Sequence, residues 1–171
     1  MARILKKSYK FKVGCVTYTI PIELKPVTIP KRYRLQGFDQ LKVGGYYDHV
    51  AAEIGNAQWS PEEENGNYYT VTFGECLSIL RILGLFKTWG FTAAGLMPLL
   101  ALAAKHPKEP CGGVFTGPLK ALGSRIGTGF PQIDLLDIRG KNQRWLYLHD
   151  HRDLCPANSV FLIRRLPKPK G

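Results

Sequence analysis

Between Cys76 and Ala104 the chain is so apolar that this stretch must supply the core of whatever the rest folds into. Cys76, Leu77, Ile79, Leu80, Ile82, Leu83, Leu85, Phe86 and Trp89 follow a helical spacing, with Ser78, Arg81, Gly84 and Lys87 set between them. A polar face that narrow predicts a central, heavily buried helix. Thr72 and Glu75 stand in capping-box spacing ahead of it, and Gly90 is the expected stop. A second helix is expected to begin near Thr92 or at Pro98, run through Leu99, Leu100 and Leu102, and close on Lys105 and His106 before Pro107. Thr88 to Ala104 holds 17 residues without a charge, the lower limit for crossing a bilayer. Gly90, Gly95 and Pro98 break that run and Lys87 and Lys105 bracket it, so a buried helix pair is the expectation.

Strands surround this core in sequence. Tyr9, Phe11 and Val13 alternate with Lys10 and Lys12, and Val16, Tyr18, Ile20 and Ile22 alternate with Thr17, Thr19 and Glu23, the period of two half-buried strands. The parity flips across Gly14 and Cys15, which demands either a tight hairpin or a bulge there. Val27 to Ile29, between Pro26 and Pro30, is restricted to an edge or irregular strand. Tyr69, Val71 and Phe73 suggest another strand. Ile133 to Ile138, a turn at Gly140 to Asn142, and Trp145 to Leu148 predict a hairpin, and Val160 to Ile163 a last strand. Residues 107–131, rich in glycine and proline, read as a long loop. The expectation is one α+β domain over residues 1–171, a small antiparallel sheet against two central apolar helices. Residues 1–8 and 165–171 are expected as flexible basic ends.

Charge narrows the partners. Lysine and arginine number 24 against 13 acidic residues, a net charge of +11, and this favours a phosphate-rich or otherwise anionic partner. The excess is concentrated at the ends. Nine basic residues lie before Leu35, against Glu23 alone. They include Lys6, Lys7, Lys10, Lys12, Lys31, Arg32 and Arg34, while Arg164, Arg165, Lys168 and Lys170 follow the last strand. Tyr9, Phe11 and Tyr33 among them offer flat surfaces for stacking on bases or for a headgroup layer. The loop carrying Glu62, Glu63 and Glu64 reads as a solvated turn, or as an acidic face that docks a basic patch of a second copy.

Chemistry-bearing motifs are weak. His149-Asp150-His151 ends an apolar strand with both histidines on one face, and Cys155 offers a third zinc ligand, but a polar hairpin end explains the same residues. Asp48 and His49 have no nucleophile signature near them. The glycine-rich stretch from Gly112 to Lys120 lacks the lysine and hydroxyl placement of a phosphate loop. Cys15, Cys76, Cys111 and Cys155 show no paired spacing and read as reduced, mostly packed thiols. No secretory signal opens the chain, and Ala2 stands where myristoylation needs glycine, so synthesis in the cytosol is expected. These residues call for no cofactor and no catalysis.

A basic N-terminal segment and early strands lead into Phe73 to Gly90, then an apolar helix ending at His106-Pro107, a Gly/Pro loop and terminal strands. This order resembles the layout of rhabdovirus matrix proteins, in particular the short ones of plant-infecting members, over about two thirds of the chain. The resemblance rests on pattern and not on a diagnostic motif. It implies a structural virion protein, peripheral to membrane in the virion and host cytoplasm. Such a protein self-associates, condenses nucleoprotein–RNA and contacts the anionic inner face of the envelope. Lys6, Lys7, Lys10 and Lys12 would then be the membrane or nucleocapsid contact. The chain departs from better-known relatives in lacking a Pro-Pro-x-Tyr motif and a long disordered N-terminal tail. Two other readings compete: an RNA- or DNA-binding regulator, such as a silencing suppressor, with no assembly role, and a small metal-dependent nuclease built on His149 and His151.

Overall fold

A computed structural model describes residues 5–13, 15–34, 36, 45–46, 57–105, 118–126, 129–138, 141–150 and 152–166. The fold is α+β, and its sheet is larger than the sequence suggests. Among the described residues nine strands form it, in the order β1 (Leu5–Val13), β2 (Val16–Val27), β4 (Tyr68–Thr72), β11 (Val160–Arg165), β7 (Leu119–Lys120), β8 (Gly129–Ile138), β9 (Lys141–Asp150) and β3 (Gly45–Tyr46), with β6 (Phe91–Ala93) also on β11. Two pairs, β7 with β11 and β3 with β9, are parallel, which departs from the all-antiparallel expectation. A separate ladder joins β5 (Leu77–Ser78) to β10 (Leu154–Cys155).

The parity flip is a hairpin, since Val13 pairs with Val16 across Gly14 and Cys15. The second hairpin reverses between Ile138 and Lys141. Residues 106–117 lie outside the described residues, but the later part of the supposed Gly/Pro loop is sheet: Leu119–Lys120 is β7, and Pro131 lies within β8. Likewise Leu5 to Ser8 and Arg165, expected in flexible ends, belong to β1 and β11. Pro26 falls in β2 beyond Leu24, the last residue paired with β1, where an N–H on that side is not needed for the ladder.

The two apolar helices do not pack together. In β11, Val160 and Leu162 join the cluster of α4 (Leu96–Lys105), while Phe161 and Ile163 join that of α3 (Ile79–Thr88). Alternate residues of a strand face opposite ways, so the helices cover opposite faces of the sheet. α4 is buried from Leu96 to Ala103, with Leu119, Ile133 and Leu146 of the sheet and Ile29, Tyr33 and Trp59 in the same cluster. α3 buries Ile79, Ile82, Leu85 and Phe86, but Leu80 is 83% exposed, so it is a covering helix and not a fully buried one.

The expected helix start at Thr72 is also displaced. Gly74 adopts φ of 66°, Leu77–Ser78 is strand, and Ser78 is the N-cap, accepting from the Arg81 N–H. α3 ends at Trp89 and Gly90, as expected, with Gly90 at φ of 75°. Thr92 is in β6, so the uncharged run is helix end, strand and second helix in turn. No helix among the described residues is long and apolar enough to cross a membrane.

Candidate anion-binding end of the sheet

Register brings part of each basic segment together. Val27 of β2 pairs with Tyr68 of β4, Tyr68 with Arg164 of β11, and Arg164 with Thr92 of β6, so these strands end in one row. Past that row lie the short helix α1 (Lys31–Arg34), the acidic helix α2 (Pro61–Glu64), and Arg165 with Leu166. Lys31, Arg32 and Arg34, from the first basic segment, therefore share an end of the sheet with Arg164 and Arg165.

Side chains fix α2 between them. Arg34 donates from Nε to the Ile29 carbonyl at 2.9 Å and from Nη1 to the Glu64 carbonyl, and its guanidinium lies 5.5 Å from the centre of the Tyr68 ring. On the other side, a Cβ added to Gly66 would lie 2.4 Å from Arg164 Cδ, so the arginine stem runs directly over that glycine. The Tyr68 hydroxyl donates to the Glu63 carbonyl. Burial and then the Glu63 charge push the Tyr68 phenol far up, against the opposing pull of Arg34 and Arg164, so it acts as a neutral donor.

Two open clefts of about 440 Å³ flank Asn65. One is lined by Glu62, Asn67, Arg164 and Arg165, the other by Thr28, Lys31, Arg34 and Glu64. Lys31 and Arg165 are exposed there, while Arg32 is exposed beside them with its guanidinium 4.9 Å from the centre of the Tyr33 ring. Lys31 and Arg165 thus present their charge to solvent in a way that Arg34, bound to two carbonyls, does not.

The three glutamates have different duties. Glu63 takes the Ser60 N–H on Oε2 at 3.4 Å and the Gly95 N–H on Oε1 at 2.8 Å, while Ser124 Oγ takes the Leu96 N–H at 2.9 Å. Glu63 thus holds the N-terminus of α4 as well as closing the capping box of α2. Hydrogen bonds from its own backbone N–H and from Ser60, with Arg164 nearby, hold the exposed Glu62 carboxyl below its usual range. Glu62 and Glu64 face the clefts. The expectation that all three form a free acidic face therefore needs correction at Glu63, which is spent inside the molecule. Its Ser60-x-x-Glu63 spacing was a visible signal, and Tyr68 and Ser124 gave none.

The remaining basic candidates are elsewhere or undescribed. Lys6, Lys7, Lys10 and Lys12 lie on β1, paired opposite Glu23, Ile22, Thr19 and Thr17, and Lys10 is exposed. Lys12 is next to the hairpin turn, at the far end of β1 from the cluster. Lys168 and Lys170 lie outside the described residues, as do His151, Asp48 and His49.

His149 Nε2 is 3.8 Å from Cys155 Sγ. Burial, then the nearby Lys120 charge, lowers the imidazole pKa, and burial raises that of the Cys155 thiol, so the two meet as neutral groups. Asp150 turns away to Arg152, accepting its Nη2 at 2.8 Å. No group of three His, Cys, Asp or Glu able to hold a metal ion forms among the described residues. Of the thiols described, Cys155 is buried, but Cys15 and Cys76 are exposed, against the expectation of mostly packed cysteines. Comparison of the chain with protein-family models, with curated proteins and with solved structures finds no match.

Proposed function

We propose that this chain is a non-enzymatic structural protein of matrix type, which grips the phosphates of nucleoprotein–RNA, self-associates, and meets the anionic face of a membrane. The observation that carries the phosphate-binding part is the convergence of Lys31 and Arg34, with Arg32 on the same short helix, and of Arg164 and Arg165 on two clefts at one end of the sheet. A chain with this charge excess and a polarised cationic surface draws a polyanion by long-range attraction and by release of its counterions.

Lys31 and Arg165 test this with least disturbance, because both are exposed. Binding of the full chain to single-stranded RNA, followed by fluorescence anisotropy, is expected to weaken steeply between low and moderate salt. The Lys31→Ala/Arg165→Ala double variant is expected to lower the slope of log K against log salt by about 1.4, roughly 0.7 for each lost phosphate contact. An unchanged slope in the double variant would sink the assignment.

A second reading, a nucleic-acid binder with no assembly role, is favoured by Glu63, whose carboxylate is engaged within its own chain and is not available to another copy. Sedimentation with RNA and with anionic liposomes separates the two. Concentration-dependent polymers and co-sedimentation with liposomes support the matrix-type reading, and a monomer that binds RNA alone supports the second.

A further inference from the structure

The outward face of α3 combines two features that its own chain does not explain. Leu80 is the most exposed of the large apolar residues described, at 83%. Gly84, one turn further on, has open space around it: nothing lies within 4 Å of an added Cβ. Its φ is not in the left-handed region, so neither backbone nor packing demands a glycine there, although glycine in a helix interior is unfavourable compared with alanine. Leu80, Gly84 and Lys87 follow the spacing i, i+4, i+7 and so form one stripe, opposite the buried Ile82, Leu85 and Phe86. A projecting leucine and a hollow one turn apart are complementary to each other.

We propose that this stripe is an isologous docking surface for a second copy of the chain, with α3 antiparallel to its counterpart and Leu80 of each copy seated on Gly84 of the other. A two-fold axis running between the copies, midway along the helix between Leu80 and Gly84, produces both contacts at once, as an isologous interface requires. Glycine at the crossing lets the helix axes approach to the short end of the usual 8–10 Å range. Leu154, 61% exposed, pairs with Ser78 beside the start of α3 and widens the apolar knob.

Charge fits the same arrangement. Glu75 and Asp153 are exposed near the N-terminal end of α3, and Lys87 is exposed in its last turn. Antiparallel helices place the lysine of each copy by the acids of the other and oppose their dipoles favourably. The contact is small, so the dimer is weak, with Kd on the order of tens of micromolar.

The inference rests on the self-associating part of the reading above and can fail separately from it. Sedimentation velocity on the full chain over a concentration series is expected to show a monomer–dimer equilibrium. Leu80→Ser and Gly84→Leu should each weaken it about tenfold or more. Gly84→Ala should raise the monomer Tm by about 2–4 °C while still weakening the dimer, a combination that a merely structural glycine would not give. Lys87→Glu should weaken the dimer and Glu75→Lys, added to it, restore it. Self-association unaltered in both Leu80→Ser and Gly84→Leu would overturn this interface and leave self-association standing. A wild type still monomeric at roughly millimolar concentration would overturn both.

Discussion

Glu63 shows how much a single side chain decides at the basic end. Its carboxylate joins α2 to the start of α4 through the Ser60 and Gly95 N–H groups, which would otherwise be unpaired donors at helix ends. Glu63→Ala is expected to destabilise the protein by about 1–3 kcal/mol, since a cap and a half-buried charge-assisted bond are lost together. Glu62→Ala and Glu64→Ala, on exposed positions, should change stability by less than about 0.5 kcal/mol. Urea midpoints of the three variants check the ranking, and equal losses would mean that Glu63 has no such role. Thr72/Glu75 and Ser60/Glu63 share the capping-box spacing, but only the second is a capping box in the structure. Thr72 and Glu75 enclose Gly74 at φ of 66°, and strand follows at Leu77, whereas Ser60 and Glu63 enclose Pro61 at the first helical position, where proline is at home.

At the scale of elements, the long strands were legible and the shortest ones were not. β1 and β2 alternate, and β8, β9 and β11 carry apolar runs within six residues or more, while β5, β6, β7 and β10 hold two or three residues each and have no pattern to read. Such short strands exist because neighbours impose them. β6 occurs in the middle of the uncharged run because β11 needs a partner beyond β7: Ile163 to Arg165 pair with Ala93 to Phe91. This junction depends on Gly123, whose N–H donates to the Ala94 carbonyl at 2.9 Å and whose added Cβ would lie 2.5 Å from the Ala93 carbonyl oxygen. Those are backbone atoms and cannot swing away. Gly123→Ala is therefore expected to cost about 1–3 kcal/mol, read as a lower urea midpoint at unchanged m value. A stable Gly123→Ala protein would mean that the junction can open without harm.

For the whole molecule, composition gives a cationic excess, but only the sheet register gathers part of it at one end. Arg34 and Arg164 are 130 positions apart in sequence, and no pattern in either segment signals that Tyr68 stands between them. Gathering five cationic side chains at one end, against Glu62 and Glu64, leaves a repulsion in the folded state that a bound polyanion would relieve. Binding to the native state alone raises stability by RT ln(1 + [L]/Kd), about 2.7 kcal/mol at a hundredfold excess over Kd. Single-stranded RNA added at that excess is thus expected to raise Tm by several degrees, well above the rise given by sodium chloride of matched ionic strength. Most of this difference should disappear in Lys31→Ala/Arg165→Ala. If RNA and simple salt raised Tm equally in the wild type, the cationic end would be acting through diffuse screening, and the two clefts beside Asn65 would have no claim as the place where phosphate binds.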